Sequence, residues 1–190
     1  MVKKILIGIA ALVAGFLALV ASRPSHFEIK RDSLIAAAPG AVYAELVDFR
    51  RWEAWSPWAK IDPAMKARYS GAPSGTGAIY DWVGNDEVGE GRMTLTRARA
   101  EESVDIKLEF LKPWEATSAT SFRLAPSAAG TRLTWSMSGE RGFVEKAVSL
   151  FMDMDKLVGG DFERGLTALK GVVEGAAGKA AAVAKGTPAP

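Results

Sequence analysis

The side chains that could do acid–base or nucleophilic chemistry are few in this sequence. It contains no cysteine, which excludes a thiol nucleophile, a disulfide, a thiolate metal site and a lipid-modified N-terminal cysteine. Its one histidine, His26, directly follows an apolar N-terminal segment, which is a poor position for a catalytic centre. We therefore expect no metal site, and nothing in the sequence implies a cofactor.

Hydroxyl and carboxylate groups are the remaining candidates for chemistry. Tyr80 carries the hydroxyl expected to reach an interior, whereas Asp81 and Glu109 point outward if their apolar neighbours on candidate strands point inward. The sequence therefore shows no catalytic constellation, and this favours binding over catalysis. A cyclase stays open as an alternative, because such an enzyme can work by shaping a reactive substrate that a tyrosine or an arginine orients.

Residues 50–58, RRWEAWSPW, place three tryptophans at intervals of three. Pro57 disfavours helical geometry at the residue before it, so we expect a helix here to end before Trp58. An indole can pack its ring inward and offer its N–H to an acceptor at the rim of a fold. Three interpretations follow for this stretch: closure of one end of the fold, direct ligand contact by Trp55 or Trp58, and contact with a membrane surface.

Composition and charge indicate one globular domain with attachments. The chain has 190 residues, of which 48% are hydrophobic and 24% charged. Three of its 24 basic residues, Lys3, Lys4 and Arg23, lie in the N-terminal segment, so the remainder carries 21 basic against 22 acidic side chains. Because this remainder is nearly neutral and has no basic run, we do not expect nucleic-acid binding.

The N-terminal segment, residues 1–23, is a membrane anchor or a signal peptide. An apolar run from Ile5 to Ala21 follows MVKK, and as a helix it is about 25 Å long, at the short end of what spans a bilayer. The small residues VAS at 20–22 would also suit a signal-peptide cleavage site. Lys3 and Lys4 favour a cytoplasmic N-terminus. Either interpretation places the rest of the chain outside the cytoplasm, on the periplasmic side.

The central part of the chain predicts a strand, a short helix and then a long antiparallel sheet. Residues 27–37 begin with alternating apolar and polar side chains, and Pro39 suits the first turn of an amphipathic helix. From Pro63 the apolar period is two, which predicts five or six strands separated by Gly-, Asn- and Asp-rich turns. The clearest strand is VDIKLEFL, in which apolar side chains alternate with charged ones.

The C-terminal part returns to helical periodicity. Residues 143–158 predict one helical stretch, Gly159 and Gly160 predict an interruption, and Asp161 is a suitable N-cap for a terminal helix that runs to Glu174. Residues 175–190, rich in Ala, Gly, Lys and Pro, predict a flexible tail. Because the terminal helix is the only element long enough to cover the sheet, we expect an α+β fold with an apolar cavity between sheet and helix.

Four segments resemble the START/Bet v 1-like helix-grip superfamily (SRPBCC), in its polyketide cyclase/dehydrase and lipid-transport branch. They lie between about Phe27 and Glu174 and read, in order, PGAVYAELVDFRRWEAWSPW, GTGAIYDWVGN with GEG, GTRLTWSMSGE and DFERGLTALKGVVE. The resemblance implies a helix-grip fold: a curved antiparallel sheet of six or seven strands around a long C-terminal helix. The leading segment and the tail lie outside the shared domain, residues 24–174, and the Gly159–Gly160 pair departs from the simple loop of many members.

What the resemblance implies about function is binding, with transport or sensing, of a hydrophobic small molecule or lipid between sheet and helix. One alternative is a polyketide cyclase/dehydrase-like enzyme that acts on an aromatic or polyketide substrate, and another is a membrane-tethered protein-interaction domain. For each candidate lining residue, simple core packing is the competing interpretation. The candidate ligand-binding residues are Trp55, Trp58, Tyr80, Trp82, Met93, Leu95, Ile106, Leu108, Phe122, Trp135, Met137, Phe151, Met154 and Phe162.

Overall fold

The computed structural model of the chain describes residues 1–186. Its elements in chain order are α1 (Val2–Ala21), β1 (His26–Ile35), α2 (Pro39–Leu46), a 3₁₀ helix (Phe49–Ala54), α3 (Trp58–Ile61), β2 (Lys66–Gly71), β3 (Ala78–Val83), β4 (Glu90–Arg99), β5 (Ser103–Lys112), β6 (Ala116–Ser127), β7 (Gly130–Glu140), α4 (Phe143–Val148) and α5 (Met154–Gly186).

The seven strands form one antiparallel sheet in the order β1-β7-β6-β5-β4-β3-β2. Alternation of buried and exposed residues along the central strands separates an apolar inner face from a polar outer face, as the period of two predicts. The helices α2 and α5 and the 3₁₀ helix pack with the inner face. A seven-stranded antiparallel sheet with a long C-terminal helix confirms the predicted α+β helix-grip fold.

The tryptophan stretch forms two short helices rather than one. Asp48 accepts a hydrogen bond from the Arg50 backbone N–H at 3.0 Å and so caps the 3₁₀ helix. That helix ends at Ala54, and Pro57 is the N-cap of α3, which begins at Trp58. The predicted end of the helix before Trp58 is therefore confirmed, and Pro57 accounts for it because its ring restricts the preceding backbone.

The predicted interruption at Gly159 and Gly160 is wrong. Both glycines lie inside the continuous helix α5, and the break falls earlier, at residues 149–153. The reason is a close approach: a Cβ at position 159 would collide with the guanidinium of Arg31 on β1. Gly159 therefore leaves room for the Arg31 side chain and does not end the helix.

Arg31 ties the edge strand β1 to the start of α5. Its guanidinium donates to the Glu163 carboxylate at 2.7 Å and to the Asp155 carboxylate at 3.0 Å, and also to the Asp155 backbone carbonyl at 3.1 Å. These hydrogen bonds raise the pKa of Arg31 and lower the pKa of Asp155, so both groups are charged at neutral pH. Arg31 therefore fixes the position of α5 along the sheet.

The two ends of the chain extend beyond the sheet. Helix α1 carries exposed apolar side chains along its length, whereas Val20 near its end is fully buried and α1 packs against α4. Helix α5 continues to Gly186, past Gly175 where the sequence predicts a flexible tail. The last part of that predicted tail, residues 187–190, lies outside the described residues.

Two glycine substitutions in α5 test the role of Gly159. Gly171→Ala meets open space and should raise the free energy of unfolding by about 0.5–1 kcal/mol, because alanine is the better helix former. Gly159→Ala gains the same helix propensity but must displace the Arg31 guanidinium. We therefore expect its free energy of unfolding to be unchanged or lower. Chemical unfolding of the full chain in detergent, followed by tryptophan fluorescence, measures both.

The matched control for this comparison is the Arg31→Ala background. There the collision is absent, so Gly159→Ala should recover the stabilisation seen at position 171. Equal stabilisation by the two glycine substitutions in the unaltered chain would contradict the proposed role of Gly159.

Candidate functional site

The inner face of the sheet is filled with aromatic side chains under α5 and the 3₁₀ helix. Trp135 on β7 is central: its ring stacks on Phe162 of α5 at 4.1 Å between centroids and meets Phe122 at 4.9 Å and Trp55 at 5.8 Å. Trp52 packs edge-on to Phe122 at 5.8 Å. We call these five side chains, Trp52, Trp55, Phe122, Trp135 and Phe162, the aromatic core.

Half of the fourteen candidate ligand-binding residues are part of this solid packing. The structure buries Trp55, Leu95, Ile106, Phe122, Trp135, Met137 and Phe162, each less than 9% exposed, in one hydrophobic cluster. Neither of two concavities, of about 660 and 330 Å³, lies between the sheet and α5. Around Trp135 the space between sheet and helix is occupied by the aromatic core, because several large rings converge there.

The larger concavity is a shallow depression on the outer face of the sheet. It is lined by hydroxyl and charged side chains of β4 to β7, among them Thr96, Lys107, Ser121 and Arg123. The smaller concavity lies beside the 3₁₀ helix, and Glu45, Arg50 and Arg51 are among its lining residues.

An apolar surface remains accessible at the other side of the inner face, on β2 to β5. The helix α5 packs most extensively with β1, at the opposite edge of the sheet. We call the side chains left at this side the aromatic shelf. All of them are partly buried except Trp82, which is 7% exposed, and they are Tyr69, Tyr80, Trp82, Met93, Leu108 and Phe110.

Ring contacts hold the aromatic shelf together. Tyr80 stacks on Trp82 at 6.0 Å and 19° and contacts Tyr69 at 5.4 Å, while Phe110 meets Trp82 edge-on at 6.1 Å. Trp82 lies over Gly91, where a Cβ would collide with its ring, and its Nε1–H donates to the Val88 carbonyl at 3.3 Å. The glycine thus lets one indole lie flat on the sheet.

Tyr80 contributes the polar group of the aromatic shelf. Burial, and then the neighbouring Tyr69 and Glu53, raise the pKa of Tyr80 to about 12, so the phenol is neutral at physiological pH. Its hydroxyl contacts only the sulfur of Met65, at 4.0 Å, which is a weak acceptor. Tyr80 therefore presents a hydrogen-bond donor and does not act as a base at neutral pH.

Among the described residues, three further donors lie buried in the interior without a protein partner. They are the indole N–H groups of Trp55 and Trp135 and the hydroxyl of Thr120. An indole N–H can only donate, and a buried polar group without a partner is costly. These groups therefore lower the stability of the packed interior.

The remaining candidates belong neither to the aromatic core nor to the aromatic shelf. Trp58 is partly buried, 5.9 Å from Trp135 and 6.4 Å from Phe162, and Met154 is partly buried at the start of α5. Phe151 is 80% exposed and does not line the inner face, contrary to expectation. The displaced helix break explains this, because Phe151 lies in the connection between α4 and α5 and not on a buried helical face.

Sequence reasoning omitted two members of the aromatic shelf from the candidate site. Phe110 belongs to the same alternation as Leu108, so the period of two was sufficient to find it. Tyr69 becomes a member through strand pairing, because it lies opposite Tyr80 in the register of β2 and β3. The sequence around Tyr69 carries no signal for that register.

Comparison with known families decides the classification. Residues 26–174 match the model of a family described as polyketide cyclase / dehydrase and lipid transport. The chain belongs to this family. The match confirms the resemblance and covers nearly all of the sheet and the part of α5 that packs on it.

Several solved structures share the fold of this chain. They are distant from it in sequence. The Aha1 dimer from Colwellia psychrerythraea is 17% identical with a TM-score of 0.57, covering 78% of this chain and 96% of that one. The di-domain ARO/CYC StfQ from the steffimycin biosynthetic pathway is 13% identical with a TM-score of 0.58, covering 81% and 52%. Ara h 8.0201 is 12% identical with a TM-score of 0.54, covering 79% and 99%. No curated protein sequence matches the chain.

Phenylalanine substitutions compare a tryptophan whose indole N–H is hydrogen-bonded with one whose N–H has no protein partner. Trp52→Phe removes the hydrogen bond from Nε1 to the Leu46 carbonyl at 3.2 Å, whereas Trp55→Phe removes an N–H without a protein partner. We expect Trp52→Phe to lower the free energy of unfolding by about 1 kcal/mol more than Trp55→Phe. Trp114→Phe, at a 61% exposed position, is the control and should change little. A larger loss at Trp55 would contradict this expectation.

The raised pKa of Tyr80 predicts a pH dependence of stability. The folded chain holds this proton up to pH about 12, whereas an unfolded tyrosine releases it near 10.0. Unfolding therefore releases a proton between these values, and stability falls as pH rises through them. The free energy of unfolding of the Tyr80→Phe variant should fall less steeply over this pH range. Chemical unfolding at a series of pH values measures it. Parallel curves for the two proteins would show that Tyr80 is not the group responsible.

Proposed function

We propose that the protein binds a hydrophobic small molecule or a lipid against the aromatic shelf. The observation that carries this proposal is the accessible apolar surface of β2 to β5, which continues a core that is otherwise solidly packed. Contact with an apolar ligand removes such surface from water and contributes about 25 cal/mol per Å². Met93 suits this role, because unbranched thioether side chains adapt to ligands of different shapes.

The Tyr80 hydroxyl defines the polar part of the ligand. It offers a neutral O–H at the aromatic shelf, whereas the indole N–H groups of Trp55 and Trp135 are buried in the aromatic core. A carbonyl, carboxylate or ether oxygen can accept a hydrogen bond from Tyr80, whereas an ammonium group cannot. The ligand class we infer is therefore an apolar molecule with an acceptor group, such as a fatty acid or an aromatic ketone.

Binding explains the arrangement better than cyclisation does. Tyr69 and Tyr80 both have raised pKa values, mainly because they are buried, so they are poor bases at neutral pH. The description of the family names both polyketide cyclase / dehydrase and lipid transport, and StfQ is described as an ARO/CYC protein. A cyclase-like role would use Tyr80 to orient the substrate, and it remains the alternative.

We further propose that α1 anchors this binding domain in a membrane. Helix α1 has 20 residues and a mean hydropathy of 2.5, and is long and apolar enough to cross a bilayer. The burial of Val20 and the packing of α1 on α4 favour an anchor that is retained, because cleavage after Ser22 would remove these contacts. With Lys3 and Lys4 on the cytoplasmic side, the folded domain lies outside the cytoplasm.

A nearly isosteric substitution on the aromatic shelf tests the binding site. Met93→Gln places an amide under the ligand. Because the bound ligand covers this amide, the amide loses its hydrogen bonds to water. We therefore expect a fluorescent fatty acid to bind about tenfold more weakly. Thr94→Gln is the matched control, because Thr94 follows Met93 on β4 and points to the outer face. Fluorescence titration of the full chain in detergent measures both.

Native mass spectrometry of the full chain supplies an independent measurement. A co-purified fatty acid or lipid supports the proposal, and its mass identifies the ligand. A protein that carries no such mass and shows the same dye affinity for Met93→Gln and Thr94→Gln would contradict it.

A further inference from the structure

We propose that the end of the domain from which α1 leaves docks onto the surface of the bilayer that α1 spans. This inference rests on the proposed role of α1 as an anchor. It assigns an orientation to the domain that neither the family nor the fold implies. The argument depends on which segments meet at this end and on what they expose.

Strand pairing brings the relevant segments together. Strand β1 begins at His26, directly after α1, and lies opposite Glu140 at the end of β7. The β5–β6 turn is at the same end, because Ser118 pairs with Gly139, close to the end of β7. Helix α4 follows β7 and packs against α1. The end of β7, the β5–β6 turn and α4 therefore lie around the exit of α1.

The other half of the sheet contributes to the same end. Glu90 at the start of β4 pairs with Lys112 at the end of β5, and Val83 at the end of β3 pairs with Glu90 and with Lys66. The Asp62 carboxylate accepts a hydrogen bond from the Asn85 backbone at 2.8 Å, which holds the end of α3 against the β3–β4 turn.

The exposed apolar side chains of the domain are concentrated at this end. Of the ten exposed large apolar side chains that the structure describes outside residues 1–21, nine lie in these segments, in the connection between α4 and α5 or in the first turn of α5, and Leu34 is the exception. We call six of these nine side chains, in the β5–β6 region, in α4 and in the connection that follows α4, the docking face: Leu111, Trp114, Phe143, Val144, Phe151 and Met152. Phe151 is 80% exposed and Val144 71%, which is unusual for side chains of this size.

The short connection from α1 identifies the bilayer as the occupant. Only residues 22–25 separate α1 from β1, and four residues span at most about 14 Å. The backbone N–H of Arg141 donates to the Ser25 carbonyl at 2.7 Å, which ties this connection to the end of β7. A helix that spans the bilayer therefore keeps the docking face beside the membrane surface at all times.

The chemistry of the docking face suits a lipid surface. It combines aliphatic and phenyl groups with one exposed tryptophan, a residue type that prefers the interface between headgroups and acyl chains. Lys146 lies next to it and favours anionic headgroups, whereas Lys112 is paired with Glu90 at 2.6 Å. Glu115, Glu145 and Asp153 oppose this attraction. We therefore assign most of the docking affinity for the bilayer to insertion of apolar side chains and little of it to charge.

Docking in this orientation would bring the aromatic shelf to the membrane. Trp82 pairs with Gly91, and Gly91 pairs with Phe110, so these two rings lie at the α1 end of the sheet. Phe110 is followed on the same strand by Leu111 of the docking face. An apolar ligand could then pass between the lipid and the aromatic shelf along a short path.

Site-directed spin labelling tests this inference, and the absence of native cysteine makes it direct. The full chain is reconstituted in vesicles of phosphatidylcholine and phosphatidylglycerol with one cysteine at a time: Phe151→Cys and Trp114→Cys in the docking face, Leu12→Cys in α1, and Ala128→Cys in the exposed β6–β7 turn at the opposite end. Collision rates with oxygen and with a water-soluble nickel chelate report lipid and water contact.

We expect the labels at positions 12, 114 and 151 to be shielded from the nickel chelate and the label at 128 to be freely accessible to it. If position 12 is in lipid while 114 and 151 are as accessible as 128, the docking is overturned and the anchor stands. If position 12 is also accessible to the chelate, the anchor itself fails and the docking fails with it. Strong spin–spin broadening at 151 without lipid contact would assign the face to a second copy of the chain and overturn the proposal.

Discussion

The contact between Trp135 and Phe162 fixes how the sheet and α5 fit together. The two rings are nearly parallel, 4.1 Å between centroids and 7° between planes, so α5 lies close to the sheet at this point. Gly165 on α5 makes this approach possible, because a Cβ there would press on the ring of Trp135. Trp55 and Phe122 complete the packing on the other sides of Trp135. The Arg31 ion pairs with Asp155 and Glu163 hold the same helix at the edge strand. Stacked rings and ion pairs thus both contribute to the position of α5.

This close packing decides where a ligand can bind. A helix-grip fold is expected to leave an apolar space between its sheet and its long helix, but here four aromatic rings around Trp135 fill that space. The accessible apolar surface therefore lies on β2 to β5, where Tyr80 supplies a neutral donor. The unsatisfied N–H groups of Trp55 and Trp135 lie inside the filled region, next to that surface. Binding at the aromatic shelf does not require the aromatic core to open.

The proposed membrane attachment and the binding surface are related through the sheet. Antiparallel pairing places the start of β1, the end of β7 and the β5–β6 turn at one end, and this end carries most of the exposed apolar side chains of the domain. The same pairing places Trp82 and Phe110 toward that end. One arrangement of strands therefore accounts for both the orientation of the domain and the direction from which an apolar ligand reaches it.

Local sequence patterns were sufficient for the fold class and most element positions. Alternation over residues 104–110 specifies a strand and its inner face, Pro39 marks a helix start, and Pro57 marks the end of the preceding helix, because these effects act between near neighbours in the chain. Contacts between distant residues were not accessible in this way. Gly159 looks like a helix breaker until Arg31, far away in the chain, occupies the space of its missing side chain. Phe151 has the periodicity of a buried residue but lies in a connection, and Tyr69 joins the aromatic shelf only through the register of β2. Whether the interior is filled or hollow depends on how these distant side chains meet, and that is a property of the folded chain.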